Sequence, residues 1–219
     1  MTVSSKLFRA FACAGVLSVL STPAWAVADF TLRRDLDTRS ESTCTSETAF
    51  GNLVADAARK IYTADVALIP CTAISGNRNH AKGENFDATA ASAEIALAAQ
   101  VVQIEVSGQQ LLETLEQALA SAPAASNTFL QVAGIRMEVN LTKPAGQRIV
   151  KLTSNGAALD FTRTYRVATT GDAAKAFASL AGAKKVEGQP SALGADVATH
   201  LQAVGVRDIK VLGRIKFTR

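Results

Sequence analysis

The chain is short of the residue types that hydrolytic chemistry most often uses. Its 219 residues hold two histidines, His80 and His200, and no Asp-x-His pair. Two-metal hydrolysis needs a cluster of Asp, His and Asn ligands around ions ~3.5–4 Å apart, and no such set is visible. No Gly-x-x-x-x-Gly-Lys loop is present to cradle phosphates. No serine sits between two glycines at a strand-to-helix turn. Aromatic residues are only 5% of the chain, so broad stacking platforms for bases are not expected. No apolar run approaches the ~20 residues that span a bilayer; the longest is "FACAGVLSVL", Phe11 to Leu20. A formal charge of +4 is too weak to argue for nucleic acid.

The same apolar run has a different meaning. Lys6 and Arg9 precede it, and Pro23 and Ala24-Trp25-Ala26 follow with a small-x-small pattern. This is an export signal, residues 1–26, cleaved after Ala26. Ala10 stands where a lipoprotein would carry leucine, three residues before Cys13. A periplasmic or secreted protein is therefore expected. Losing Lys6 and Arg9 leaves +2 of the original +4, on about 190 residues, which make one domain or two subdomains sharing a core.

Of three cysteines, Cys44 and Cys71 survive cleavage. In an oxidising compartment an even pair points to a disulfide. A helix from about Glu47 to Tyr62 would rise roughly 24 Å. The strand Ala64 to Pro70 would return roughly 20 Å, bringing Cys71 back beside Cys44. The alternative is two unpaired buried thiols.

Residues 27–46 read as a polar, extended lead-in to a domain over 47–219. Phe50, Leu53, Val54, Ala57 and Ile61 give the stripe of a core-facing helix. "DVALI" is a strand buried on both faces, and residues 76 to 87 are loop. "ATAASAEIALAA", Ala88 to Ala99, reads as helical. "VVQIEV" is a strand, and Ser107 with Gln110 forms a capping box opening the next helix. "FLQVAGIRMEVNL" alternates like a strand, as do "RIVKLTS" and "TYRVATT"; Asn155-Gly156 marks a hairpin. Helical stretches follow at "AAKAFASLAG" and "ADVATHLQAV". "IKVLGRIKF" reads as an exposed strand with Lys210, Arg214 and Lys216 on a solvated face. The order implies an α+β domain with mixed sheets.

Taken in order, "SETAFGNLVADAARKIYTADVALI", "KGE", "VVQIEVSGQQLLETLEQAL", "FLQVAGIRMEV", "PAGQRIVKLTSNGAALD", "TYRVATT" and "GRI" resemble the C-terminal domain of the 5′-nucleotidase family. That domain also occurs in UDP-sugar hydrolases and cyclic-nucleotide phosphodiesterases. The likeness spans Glu47 to Ile215. It implies a layered α/β/α/β fold and the nucleotide-binding half of a two-domain enzyme. The other half, a metallophosphatase domain carrying two metals, is not recognised in this sequence. "GNRNH" echoes that half's Gly-Asn-His segment, but Arg78 stands where the ligand histidine belongs. No catalytic residue, metal or cofactor is therefore assigned.

The resemblance also implies where a ligand would sit. In the family the strand matching "DVALI" enters Asn-Gly-Gly-x-Ile-Arg; here the sequence is Pro70-Cys71-Thr72-Ala73-Ile74-Ser75. Arg78 lies three residues on and is either a substitute phosphate contact or a solvated loop arginine. Leu97 is the nearest equivalent of one aromatic wall of the base slot, and Phe177 is placed to form the other. Any pocket is expected between Thr72–His80 and Gly171–Phe177. Asn52 and Gln131 are further candidates, as ligand contacts or as core hydrogen-bonders. The readings left open are a catalytically silent binder of a small anionic, nucleotide or sugar ligand, and a protein-interaction module of the envelope. A third is the substrate-binding subunit of a hydrolase completed by a separate metallophosphatase chain.

Overall fold

The computed structural model describes residues 29–207 and 209–219; the export signal read at residues 1–26 lies outside them. The lead-in packs against the domain. It forms strand β1 (Leu36–Asp37) and a one-turn helix α1 (Ser40–Thr43), and Leu32 and Leu36 are buried in the core. Helix α2 (Ala49–Ile61) starts at Thr48, whose hydroxyl accepts from the Gly51 amide. That bond satisfies one of the four amides a helix start leaves unpaired. Phe50, Leu53, Val54 and Ala57 are buried as their spacing requires, while Ile61, at the last turn, is exposed.

Strand β2 (Val66–Pro70) is buried along its whole length. After a short turn come strand β3 (Asn79–His80), which pairs with β1, and helix α3 (Ala88–Ala93). The alanine-rich segment does not stay helical to Ala99 as its composition suggests. Ile95 instead bridges Ile74 and is buried in the core. Intrinsic alanine propensity is weak beside tertiary burial of an isoleucine. Strand β4 (Gln100–Ser107) runs directly into α4 (Gly108–Ala118), opened by the Ser107–Gln110 capping box.

The alternating run after Phe129 is two strands, not one. β5 (Leu130–Ala133) and β6 (Ile135–Asn140) are separated by Gly134 at φ +82°. β7 (Ile149–Ser154) and β8 (Ala157–Ala158) form the hairpin around Asn155-Gly156. β9 (Thr164–Thr170) leads into α5 (Gly171–Ala176); β10 (Lys184–Lys185), β11 (Ser191–Ala192), α6 (Leu193–Val204) and β12 (Ile215–Thr218) complete the chain. The closing segment differs from its expected form: only its last residues are strand, and Arg214 is buried rather than solvated.

The main sheet runs β10-β4-β9-β2-β5, with β11 also on β4; β2 and β9 are parallel and the other pairs antiparallel. α2, α3 and α6 cover one face, with Phe50, Leu53, Ala91 and Leu201 in one core with Ala67 and Ile69 of β2. On the other face Val66, Leu68, Leu111, Leu115, Met137 and Leu152 form a second core. It joins the sheet to α4 and to the smaller sheet β12-β6-β7-β8. The result is the layered α/β/α/β arrangement with mixed sheets. No helix of the described residues is long and apolar enough to cross a membrane.

Candidate functional site

Parallel strands direct their carboxyl ends toward one edge of a sheet, where α/β folds collect ligands. Here β2 and β9 end side by side, and a cleft of about 190 Å³ opens above them. Pro70, Thr72 and Ala73 line it on the β2 side and Thr170, Asp172, Ala173, Ala176 and Phe177 on the β9 side, with Ala96, Ala98, Ala99, Asn127 and Thr128 completing the lining. The volume is below the ~300–1,000 Å³ of a drug-sized pocket. Its polar groups are hydroxyls, the Asn127 amide and one carboxylate, Asp172; no cationic side chain lines it.

The Thr72 wall is fixed covalently. Cys71 is bonded to Cys44 with a Cα–Cα distance of 5.1 Å, as the returning helix and strand require. The Cys71 amide donates to the Phe129 carbonyl at 2.9 Å. Opposite, the Thr170 hydroxyl accepts from the Ala173 amide and starts α5. Phe177 is 3% exposed and supplies an apolar surface at the far end. Leu97 points out of the cleft, fully exposed at 100%, so the second aromatic wall has no replacement.

Of the residues singled out from sequence, the structure brings only Phe177 to this cleft. Arg78 is exposed and lies beside β3; its amide and carbonyl both bond Thr38. Gln131 is fully buried and donates to the Thr43 and Ser46 carbonyls at 2.7 and 2.8 Å while accepting from the Thr48 amide. It fastens the lead-in to the sheet. Asn52 donates to Glu47 at 2.7 Å and to the Lys210 carbonyl at 3.1 Å, on the helical side of the domain.

The loop carrying Arg78 is organised around His80, which is 2% exposed. Its Nδ1 lies 2.7 Å from Glu84 and its Nε2 3.0 Å from the buried Glu94. Thr38 donates to the other Glu94 oxygen at 2.6 Å. The His80 contact holds the Glu84 carboxyl below its usual range. The i, i+4 spacing in "HAKGE" is the available sequence signal for the Glu84 half of this cluster. Asn127, Thr128 and Asp172 have no comparable signal, since each sits in an irregular or short segment whose placement depends on the strands beneath it.

Among the described residues no group of three or more His, Cys, Asp or Glu side chains is arranged to hold a metal. The donor set does not fit a two-metal centre. The sequence model described as 5′-nucleotidase, C-terminal domain, matches residues 26–176. This chain belongs to that family. No curated protein matches the sequence. Among solved structures, this 5′-nucleotidase C-terminal domain is similar to a 5′-nucleotidase precursor of Thermus thermophilus, at 22% identity and TM-score 0.77, covering 89% of this chain and 40% of that one. It is also similar to the NAD nucleotidase of Haemophilus influenzae, at 14% identity and TM-score 0.63 over 88% and 39% of the two chains. The sulfate thiohydrolase SoxB of Thermus thermophilus, solved with glycerol, gives 21% and 0.62 over 87% and 35%. The chain thus spans about two fifths of these solved chains, and the likeness establishes the fold.

Proposed function

We propose that this 5′-nucleotidase C-terminal domain is an exported binding module that performs no phosphoester hydrolysis by itself. Its ligand is a small uncharged molecule of sugar or nucleoside type. The observation that carries this reading is the lining of the cleft: Phe177 and alanines, hydroxyls and an amide for orientation, and Asp172 as its one charge. A phosphate placed there would face a carboxylate with no cation to offset it, which costs affinity. A ribose or hexose meets complementary donors and acceptors, with one apolar face against Phe177. The names of the structural neighbours include nucleotidases and a thiohydrolase of a sulfur compound, so the fold is not tied to a nucleotide. The disulfide fits a periplasmic or secreted setting.

The test is a thermal-shift screen of nucleosides and sugars against the matching nucleotides. A ligand at 100 times its dissociation constant adds ~2.7 kcal/mol to stability, a readily measured shift. Stabilisation by nucleotides but not nucleosides that persists in Thr153→Glu, where phosphate binding at the arginine-lined cavity beside Gly134 is blocked, would overturn the choice of ligand.

Leu97 favours a second reading. Leu97 is 100% exposed between Ala96 and Ala98, which line the cleft, so a chain closing over the cleft would bury it. In this reading a separate metallophosphatase chain, or another envelope protein, closes over the cleft. Metal-dependent hydrolysis that arises only on mixing with such a phosphatase, and weakens in Leu97→Asp, would establish it.

A further inference from the structure

At the opposite end of the main sheet lies a second, differently built cavity. It occupies about 200 Å³ where β5 passes into β6, lined by Asp56, Arg59, Gly134, Arg136, Thr153 and Arg214. Gly134 directly follows Ala133, which pairs with Ala67 near the start of β2, whereas Pro70 at the other end of β2 borders the cleft. Along β2 the two sites are therefore separated by roughly 15 Å.

Three guanidinium groups and one carboxylate line this cavity, so it carries a net charge of +2. Each arginine is tied down by carbonyls. Arg59 Nε donates to the Asp65 carbonyl at 3.0 Å, and Arg136 Nη1 to those of Leu212 and Gly213 at 2.6 and 3.2 Å. Arg214 Nη1 donates to Val132, and its Nη2 lies 2.8 and 2.7 Å from the two Asp56 oxygens. Asp56 is thus already neutralised. Arg59 and Arg136 have no carboxylate partner among the described residues. A guanidinium has five N–H donors, so the terminal nitrogens of Arg59 and Nε and Nη2 of Arg136 retain theirs. Gly134 is what lets Arg59 lie so close: a Cβ there would stand 2.8 Å from Arg59 Nε and 2.1 Å from the Asp65 carbonyl oxygen.

Two anchored guanidinium forks without counter-charge, facing one small polar cavity, suit a tetrahedral dianion. We propose that this cavity is an oxyanion site that binds a phosphate or sulfate group, free or at the end of a small metabolite. It is independent of the cleft and of whatever the cleft binds.

The experiment is calorimetric titration of the mature chain with inorganic phosphate, sulfate and glycerol phosphate, at constant ionic strength set by chloride. Saturable binding of at least one is expected. Thr153→Glu places a carboxylate on the cavity wall while keeping every arginine, and it should abolish binding. Arg136→Lys retains charge but loses the fork and should weaken binding about tenfold. Asp172→Asn, in the cleft, should leave the anion affinity unchanged. Glycerol phosphate binding without inorganic phosphate assigns the site to a phosphomonoester; the reverse assigns it to the free ion. Absence of saturable binding overturns the proposal. So does binding that Thr153→Glu leaves intact in a variant with a native melting profile, or that responds only to Asp172→Asn.

Discussion

Single side chains join the two ends of this domain. Glu47, just before α2, accepts from the amides of Leu212, Arg214 and Ile215 and from Asn52. Arg214 then reaches across to Val132 and Asp56. Removing one member of a buried pair leaves the other uncompensated, which costs ~3–5 kcal/mol. The Asp56 side chain keeps 34% exposure, which lowers that cost, so Arg214→Ala should lose about 2–3 kcal/mol in urea unfolding. His200 gives a pH-dependent counterpart. Burial pushes its imidazole below the ordinary 6.5, opposed by Asp56 and aided by Lys60. The unfolded chain therefore binds the proton more readily than the folded one between the two values. Stability from this residue is complete above pH 6.5 and declines as pH falls through the depressed folded value. His200→Gln should lessen the loss of stability between pH 7 and 5, measured as the difference between the two chains' unfolding curves.

At the scale of elements, two junctions set the architecture. Gly134 turns the chain from the main sheet into the small one, at φ +82° and against the Asp65 carbonyl. A side chain meets both strain and overlap there, so Gly134→Ala should cost more than about 2 kcal/mol and lower the melting temperature. The Cys44–Cys71 bridge, at a sequence separation of 27, ties α1 to the turn that walls the cleft. Closing a loop of that size contributes on the order of 3–4 kcal/mol by restricting the unfolded chain. Reduction, or Cys44→Ala with Cys71→Ala, should lower the unfolding free energy by about that amount. Intact mass should show no free thiol in the oxidised chain. Most element types were legible beforehand because their patterns are local: the stripe of α2, the Ser107–Gln110 box and the Asn155-Gly156 hairpin. The failures at Ile95 and Gly134 share a cause. Alternation and alanine content report local preference, while the partner strand that Ile95 bridges and the carbonyl that Gly134 meets are remote in sequence.

For the molecule as a whole, the expectation is that the purified mature chain shows no phosphatase or nucleotidase turnover with Mg²⁺, Mn²⁺, Zn²⁺ or Co²⁺. Turnover that persists through stringent purification and scales with added metal would contradict it. The candidate site was only partly readable. Phe177 could be placed because it follows a strand whose end is fixed by sheet topology. Arg78 could not, because its direction depends on how Thr38 and the buried His80 cluster fold the loop.

Sequence by itself determined the α+β class, most of the longer strands and the Ser107–Gln110 helix start, because burial periodicity and capping act over a few neighbouring residues. The layered arrangement was implied by the family resemblance, and chain reach favoured the Cys44–Cys71 bond over two free thiols. Tertiary structure alone decided that Gln131 is a core tether, that Arg214 is buried, and that the cleft lacks a cation. It also decided that Arg59, Arg136 and Arg214 line one cavity. Positions 59, 136 and 214 meet only once two sheets have packed across α4 and the chain has turned at Gly134, and no local pattern encodes that convergence.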